Sequence, residues 1–226
     1  MRVTENLSII RDLLTEAANQ AERDPATVHL LAVSKKQPIE AILEAAAAGQ
    51  RDFGENYVQE GLDKIAAAGS ERLIWHFIGH LQSNKTRAVA EHFDWVHTID
   101  RLKIARRLSD QRPAGMEALN ICLQVDIDNE ASKSGATVAE VPALARAVSE
   151  LPNVRLRGLM CLPAQREGFE AQREPFRRLH QLAESIRADG IDLDTLSMGM
   201  TGDYRAAIAE GATMVRIGTA IFGPRE

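Results

Sequence analysis

Short apolar runs and longer amphipathic stretches alternate along almost the whole chain. The first run, Val28 to Ser34, is followed by an alanine-rich stretch that Pro38 opens and Gly49 closes, with Ile39, Ile42, Leu43 and Ala46 on one face. That couplet predicts a strand and then a helix, and it repeats. Residues 52–55 precede a helical pattern over 56–68, 73–78 precede 84–92, and 93–99 precede 101–111. Further on, 118–127 precede 138–150, 154–162 precede 169–189, and 193–198 precede 203–210, before a last apolar run at 213–218. Ahead of them all, Leu7, Ile10, Leu14 and Ala18 lie among Glu5, Arg11, Asp12 and Glu16. This is the spacing of an amphipathic helix over residues 1–24, not of a signal peptide.

Eight predicted strands, the first seven each followed by a helix, imply parallel strands joined by right-handed crossovers. Eight such units favour a closed ring over an open sheet. The fold expected is α/β, a single (β/α)8 TIM barrel with an extra N-terminal helix packed on it. No linker, low-complexity segment or shift in composition divides the chain, so residues 1–226 read as one domain. Composition serves mainly to exclude partners. With 45% hydrophobic and 26% charged residues the chain is ordinary for a globular protein, and a net charge of −5 without a basic run argues against nucleic acid. No apolar run approaches the roughly 20 residues of a membrane span, and a cytoplasmic location is expected. Cys122 and Cys161 each sit inside an apolar run, as buried free thiols in a reducing compartment do.

In a barrel of this kind the functional groups lie where the strands stop. The first strand stops at Ser34-Lys35-Lys36-Gln37-Pro38. Either both lysines are solvated there, or one ammonium is desolvated, its pKa falls, and the neutral amine can condense with an aldehyde such as pyridoxal 5′-phosphate (PLP). The loops after the seventh and eighth strands carry Ser197, Gly199, Thr201, Gly202, Gly218 and Thr219, the glycines and hydroxyls of a phosphate cradle. Arg216 shares a strand face with Met214 and Gly218. A guanidinium in a barrel mouth needs an acceptor, either a carboxylate such as Glu55 or Asp126 or a ligand anion. His76 and His80 flank a strand end and lack the geometry of a zinc pair, so His76 is expected to line the pocket. The acidic stretch Asp126 to Glu130 lacks the spacing and glycine of a calcium loop, and Met160 and Met198 read as filling the barrel end.

Five stretches taken together carry a resemblance: Leu31 to Lys35, Phe53 to Glu60, Trp75 to Lys85, Ser197 to Met200, and Val215 to Gly223. In order, and over essentially the whole chain, they resemble the pyridoxal-phosphate homeostasis proteins, a fold-type III PLP family related to the N-terminal barrel of alanine racemase. The resemblance implies that Lys35 is the Schiff-base lysine for PLP and that Asn56 lies near the cofactor ring. It implies that Ser197, Met198, Met200, Thr201, Gly218 and Thr219 supply the phosphate loop and pocket, and that Arg216 faces the pyridine nitrogen. Lys36 becomes a solvated neighbour whose charge helps depress the pKa of Lys35. Thr201 stands where the family usually has serine and keeps the hydroxyl, whereas Arg205 stands where an acidic residue is common.

The same resemblance bears on activity. An arginine does not keep the pyridine nitrogen protonated as a carboxylate does, so the ring is a weaker electron sink. The chain stops three residues after Gly223, with no second domain to deliver a racemase's opposing tyrosine. The expectation is a non-catalytic, monomeric PLP carrier or regulator in vitamin B6 homeostasis, with PLP-dependent apo-enzymes as possible acceptors. A PLP-dependent amino-acid racemase is the alternative, and a Schiff-base aldolase acting on a sugar phosphate is a third reading.

Overall fold

Each apolar run of the alternating pattern is a strand in the computed structural model, which describes residues 3–69, 71–129 and 134–224. The strands are β1 (His29–Val33), β2 (Asp52–Glu55), β3 (Ile74–Phe77), β4 (Trp95–Ile99), β5 (Leu119–Asp126), β6 (Ala136–Thr137), β7 (Val154–Cys161), β8 (Thr195–Ser197) and β9 (Met214–Ile217). Every pairing is parallel, β1 pairs with both β2 and β9, and β4 pairs with β5. Eight strands therefore close into a ring in the order β1-β2-β3-β4-β5-β7-β8-β9. The two-residue β6 continues along β5 past Leu123, the last partner of β4.

The helices wrap this ring. They are α1 (Val3–Gln20), α2 (Ile39–Ala47), α3 (Val58–Ala68), α4 (Thr86–His92), α5 (Leu102–Gln111), α6 (Val141–Ser149), α7 (Phe169–Ala188), α8 (Tyr204–Ala209) and α9 (Thr219–Phe222). Because strand side chains alternate between faces, Ala32, Phe53, Trp75, Val96, Ile121, Leu159, Leu196 and Val215 all point outward into one core shared with the helices. The intervening residues point into the ring, where the apolar residues are fewer: a cluster of Trp95, Cys122 and Met160, with Leu31 and Met214 also buried. Polar groups share this interior, with His76, His97, Ser197 and Arg216 buried there. A main core outside the strands and a smaller, partly polar core inside them is the arrangement on which the site depends.

The N-terminal helix completes the outer layer. The last helix, α9, is a single turn of four residues and covers little of the ring. Helix α1 packs against α2, α8 and α9, burying Leu7, Ile10, Leu14, Ala17 and Ala18. It is tied down by Asn6 Nδ2, which donates to the Ile221 carbonyl at 2.8 Å, and by Arg11 Nη1, which donates to the Ala48 carbonyl at 2.8 Å. The expected helix over 84–92 begins as a 3₁₀ turn, Ser83–Lys85, before α4. Neither β6 nor α9 was expected, since two and four residues are too few to show a period. Of the acidic stretch after β5, Glu130 lies outside the described residues. Among the described residues no three His, Cys, Asp or Glu side chains gather as a metal site, and no helix is long and apolar enough to cross a membrane.

Two predictions follow from this packing. At Gly158 on β7 a Cβ would lie 1.7 Å from the Thr195 carbonyl oxygen of β8, so no side chain fits without parting the strands. Gly158→Ala should lower stability by about 2–3 kcal/mol, read as a fall in the urea midpoint; an unchanged midpoint would mean that β7 and β8 do not approach so closely. Cys122 and Cys161 are free and buried, and burial pushes both thiols up to about 12. A disulfide reagent at mildly alkaline pH should label neither in the native protein and both in guanidinium.

Candidate functional site

Lys35 follows β1 after the single residue Ser34, on a turn that is gripped from outside the ring. The Gln37 N–H donates to the Ser34 carbonyl at 3.0 Å, and within the turn Lys36 has φ +59°. That left-handed conformation is uncommon for a residue with a Cβ and persists where neighbours impose it. The neighbour is Glu60 on α3, whose carboxylate accepts the Lys36 N–H. One turn along the same helix, Lys64 Nζ donates to Glu60 Oε1 at 2.6 Å, to Glu55 Oε1 at 2.8 Å and to the Ser34 carbonyl at 2.7 Å. Ser34 Oγ donates to the same Glu55 oxygen at 2.6 Å. Ser34, Glu55 and Lys64 are buried, Lys35 is half-buried and Lys36 is exposed. Burial pushes the Glu55 carboxyl above the usual carboxylate range, against the pull of its hydrogen bonds from Lys64 and Ser34.

Beside this turn, at the C-terminal mouth of the barrel, lies a cavity of about 310 Å³. Its walls are Val33, Lys35, Asn56, Ile78, Met160, Leu162, Met200, Thr201, Arg216, Gly218 and Thr219. A second hollow of about 300 Å³ shares Asn56, Ile78 and Leu162 with it and adds His80, Gln124 and Asp126. Two backbone loops, after β8 and after β9, the strand beside β1, complete the lining. In the first, Gly199 at φ +93° lets the chain lie against α8, where a Cβ would meet that of Ala207 at 2.6 Å. The second is Gly218-Thr219 at the head of α9. There the helix's own bonds begin with Ile221 and Phe222 donating to the Gly218 carbonyl, so the amides of Thr219 and Ala220 precede them. At Gly218 a Cβ would come within 3.0 Å of the Val33 carbonyl oxygen, so this wall is bare backbone.

Arg216 closes the cavity from below. It is 4% exposed; Nη1 donates to Ser197 Oγ at 2.8 Å and Nη2 to the Cys161 carbonyl at 2.9 Å. The carboxylate partner considered from the sequence is not among these bonds. Glu55 faces outward to Lys64, because it stands one residue out of phase with the inward-facing Gly54 on β2. Burial lowers the pKa of Arg216, yet a guanidinium stays charged in any protein.

Of the ten residues expected at the site, Lys35, Asn56, Met200, Thr201, Arg216, Gly218 and Thr219 line the cavity. His76, Ser197 and Met198 do not. Met198 turns outward into the main core, on the opposite face of its strand from Ser197. His76 and Ser197 lie deeper in the ring, Ser197 against Arg216 and His76 two bonds further down. The sequence reading overlooked Lys64, Glu60 and His97. A Glu and a Lys four apart on the helix after the second strand was the available signal for the first two, and it also describes any solvated helix face.

Residues 6–226 match the family model described as the alanine racemase N-terminal domain. The chain is 58% identical over 224 residues to a pyridoxal phosphate homeostasis protein of Pseudomonas aeruginosa, covering 99% of this chain and 96% of that one. It is 54% identical over 227 residues to a protein of the same name from Escherichia coli K12, covering 99% and 97%. Among solved structures, PipY of Synechococcus elongatus with PLP bound superposes with a TM-score of 0.85 at 37% identity, covering 98% of this chain and all (100%) of that one.

The grip on the Lys35 turn is testable. Lys64→Met leaves the Glu55 carboxylate buried without its cation and should cost about 3–5 kcal/mol in urea unfolding. Lys64→Met combined with Glu55→Gln should recover part of that loss. A single variant as stable as the wild type would mean that Lys64 is not the counter-charge of Glu55.

Proposed function

The chain belongs to the alanine racemase N-terminal-domain family, and on that premise we propose that it is a PLP-binding homeostasis protein that holds the cofactor on Lys35. The observation that carries this reading is the cavity itself. Its lining offers a half-buried primary amine, backbone amides and threonine hydroxyls, and a buried guanidinium closes the base. An amine for an aldehyde, a cradle for a phosphate and a donor for a ring nitrogen are what PLP needs. Asn56 adds a buried side-chain oxygen without a hydrogen-bond partner. The names of the two relatives and the bound PipY structure support the same ligand.

In this reading Thr201, Gly218 and Thr219 bind the phosphate, Met200 and Asn56 flank the ring, and Arg216 donates to the ring nitrogen. His76, Ser197 and Met198 act from behind the wall. Bound PLP supplies an electrophilic carbon for exchange with amines and a ring able to take up electron density. The protein limits the second capacity. Arg216 donates a hydrogen bond without giving up its proton, so the ring nitrogen stays unprotonated and electron withdrawal is weak. Among the described residues, Lys35 and Arg216 are the only lining side chains of the cavity with an ionisable group. Storage and release of cofactor, not turnover of amino acids, is the function this favours. We place it in the cytoplasm as a single-domain monomer whose acceptors include PLP-dependent apo-enzymes.

Visible absorbance with added PLP tests the reading. The wild type should develop a band in the violet, borohydride should lock the added mass onto Lys35, and Lys35→Ala should lose both. An undiminished band in the variant would overturn the assignment of Lys35. Racemisation of alanine above the rate of free PLP would overturn the carrier reading in favour of an enzyme.

A further inference from the structure

A series of buried polar groups runs the length of the barrel interior and ends on the cavity. Asp52 Oδ1 lies 3.0 Å from His76 Nε2, and His76 Nδ1 lies 2.9 Å from His97 Nε2. His97 Nδ1 lies 2.8 Å from Ser197 Oγ, which lies 2.8 Å from Arg216 Nη1. His76, His97 and Ser197 are fully buried. Asp52, with its side chain 29% exposed, sits at the N-terminal mouth in a hollow that Trp95, Arg157 and Asp194 also line. Trp95 stacks on His76 with ring centroids 5.3 Å apart and planes within 12°, which fixes the plane of that imidazole.

With both imidazoles neutral, the two ends fix the direction of every bond between them. A guanidinium only donates, so Ser197 Oγ accepts from Arg216; a carboxylate only accepts, so His76 Nε2 carries a proton. A neutral imidazole has one donor and one acceptor. His76 Nδ1 is therefore bare and accepts from His97 Nε2–H, and His97 Nδ1, bare in turn, accepts the Ser197 hydroxyl proton. Burial supports neutrality at His97, holding it well below the ordinary imidazole value, and the Arg216 charge adds to the effect. Reversing His97 would set two bare nitrogens face to face at 2.9 Å. All four donors thus point one way, from the cation under the cavity to the anion at the far mouth, and each bond polarises the next.

We propose that Asp52 is a remote positioning residue of the cavity, its carboxylate acting through His76, His97 and Ser197 to hold the Arg216 guanidinium in place. The role assigned to Arg216 rests on the cofactor reading above, but the chain of bonds can be read without cofactor. In nitrogen-15 spectra of the cofactor-free protein, His76 and His97 should both be neutral with the proton on Nε2. Asp52→Ala removes the acceptor and should leave His97 as a mixture of tautomers. Asp52→Asn keeps an acceptor oxygen and should preserve both.

In PLP titrations Asp52→Ala and Ser197→Ala should each weaken binding by about 3–10-fold. The double variant should be no weaker than the worse single, because the chain is already cut. A proton on Nδ1 of His97 in the wild type, or additive losses in the double variant, would overturn the proposal. Should the wild type bind no PLP, the cofactor reading fails on its own account. The response of the His97 tautomer to Asp52→Ala then decides whether Asp52 governs the chain.

Discussion

Ring closure combined with the two-residue period of a strand is the constraint from which the rest of this structure follows. Once β1 pairs with both β2 and β9, no strand of the ring has a free edge, and each of its residues is committed either to the helices or to the interior. The outward set, from Ala32 to Val215, is apolar and joins one continuous core. Much of the burial that opposes chain entropy is thereby achieved outside the ring. The interior is relieved of that duty, which is why two histidines, a serine and an arginine occupy a place that branched aliphatic residues usually fill in this fold.

The two ends of the cavity are held by different layers. Lys35 rides on a turn whose support comes from outside, where α3 brings Lys64 and Glu60 against Ser34 and Glu55. Arg216 is supported from inside, through Ser197 and the Cys161 carbonyl. Each arrangement buries a charge, Lys64 and Glu55 in the first and Arg216 in the second, and buried charge is tolerated only where its partners are in place. The separation gives the site a rigid amine at one wall and a rigid guanidinium at its base, each positioned by groups that do not themselves line the cavity.

Much of this was legible in the chain. The alternating couplets specify eight parallel strands, and reading only the residues where strands stop isolates Lys35, Asn56, Thr201, Gly218 and Thr219. What escaped has two causes. The phase of a single strand is readable, as at Arg216, but which inward residue meets which across the ring depends on register and strand tilt, and neither is written locally. For that reason His76 was placed at the pocket although it lies beneath it. Glu55 and Met198 were misplaced by phase instead, because β2 and β8 have only four and three residues in which to show one. Beside Ser197 in sequence, Met198 faces the helices while Ser197 faces the ring.

The pairing of β1 with β9 also dictates when the site comes into being. Leu31 lies opposite Arg216 in that pair, with nearly the entire chain between them. Contacts so distant in sequence form late, after the intervening loops have been closed at an entropic cost. Lys35 leaves the ribosome well before the loops and the base that complete its cavity, which run from Thr201 to Thr219. A nascent or truncated chain thus carries the amine without the pocket, and the capacity to retain a ligand switches on only when the ring closes.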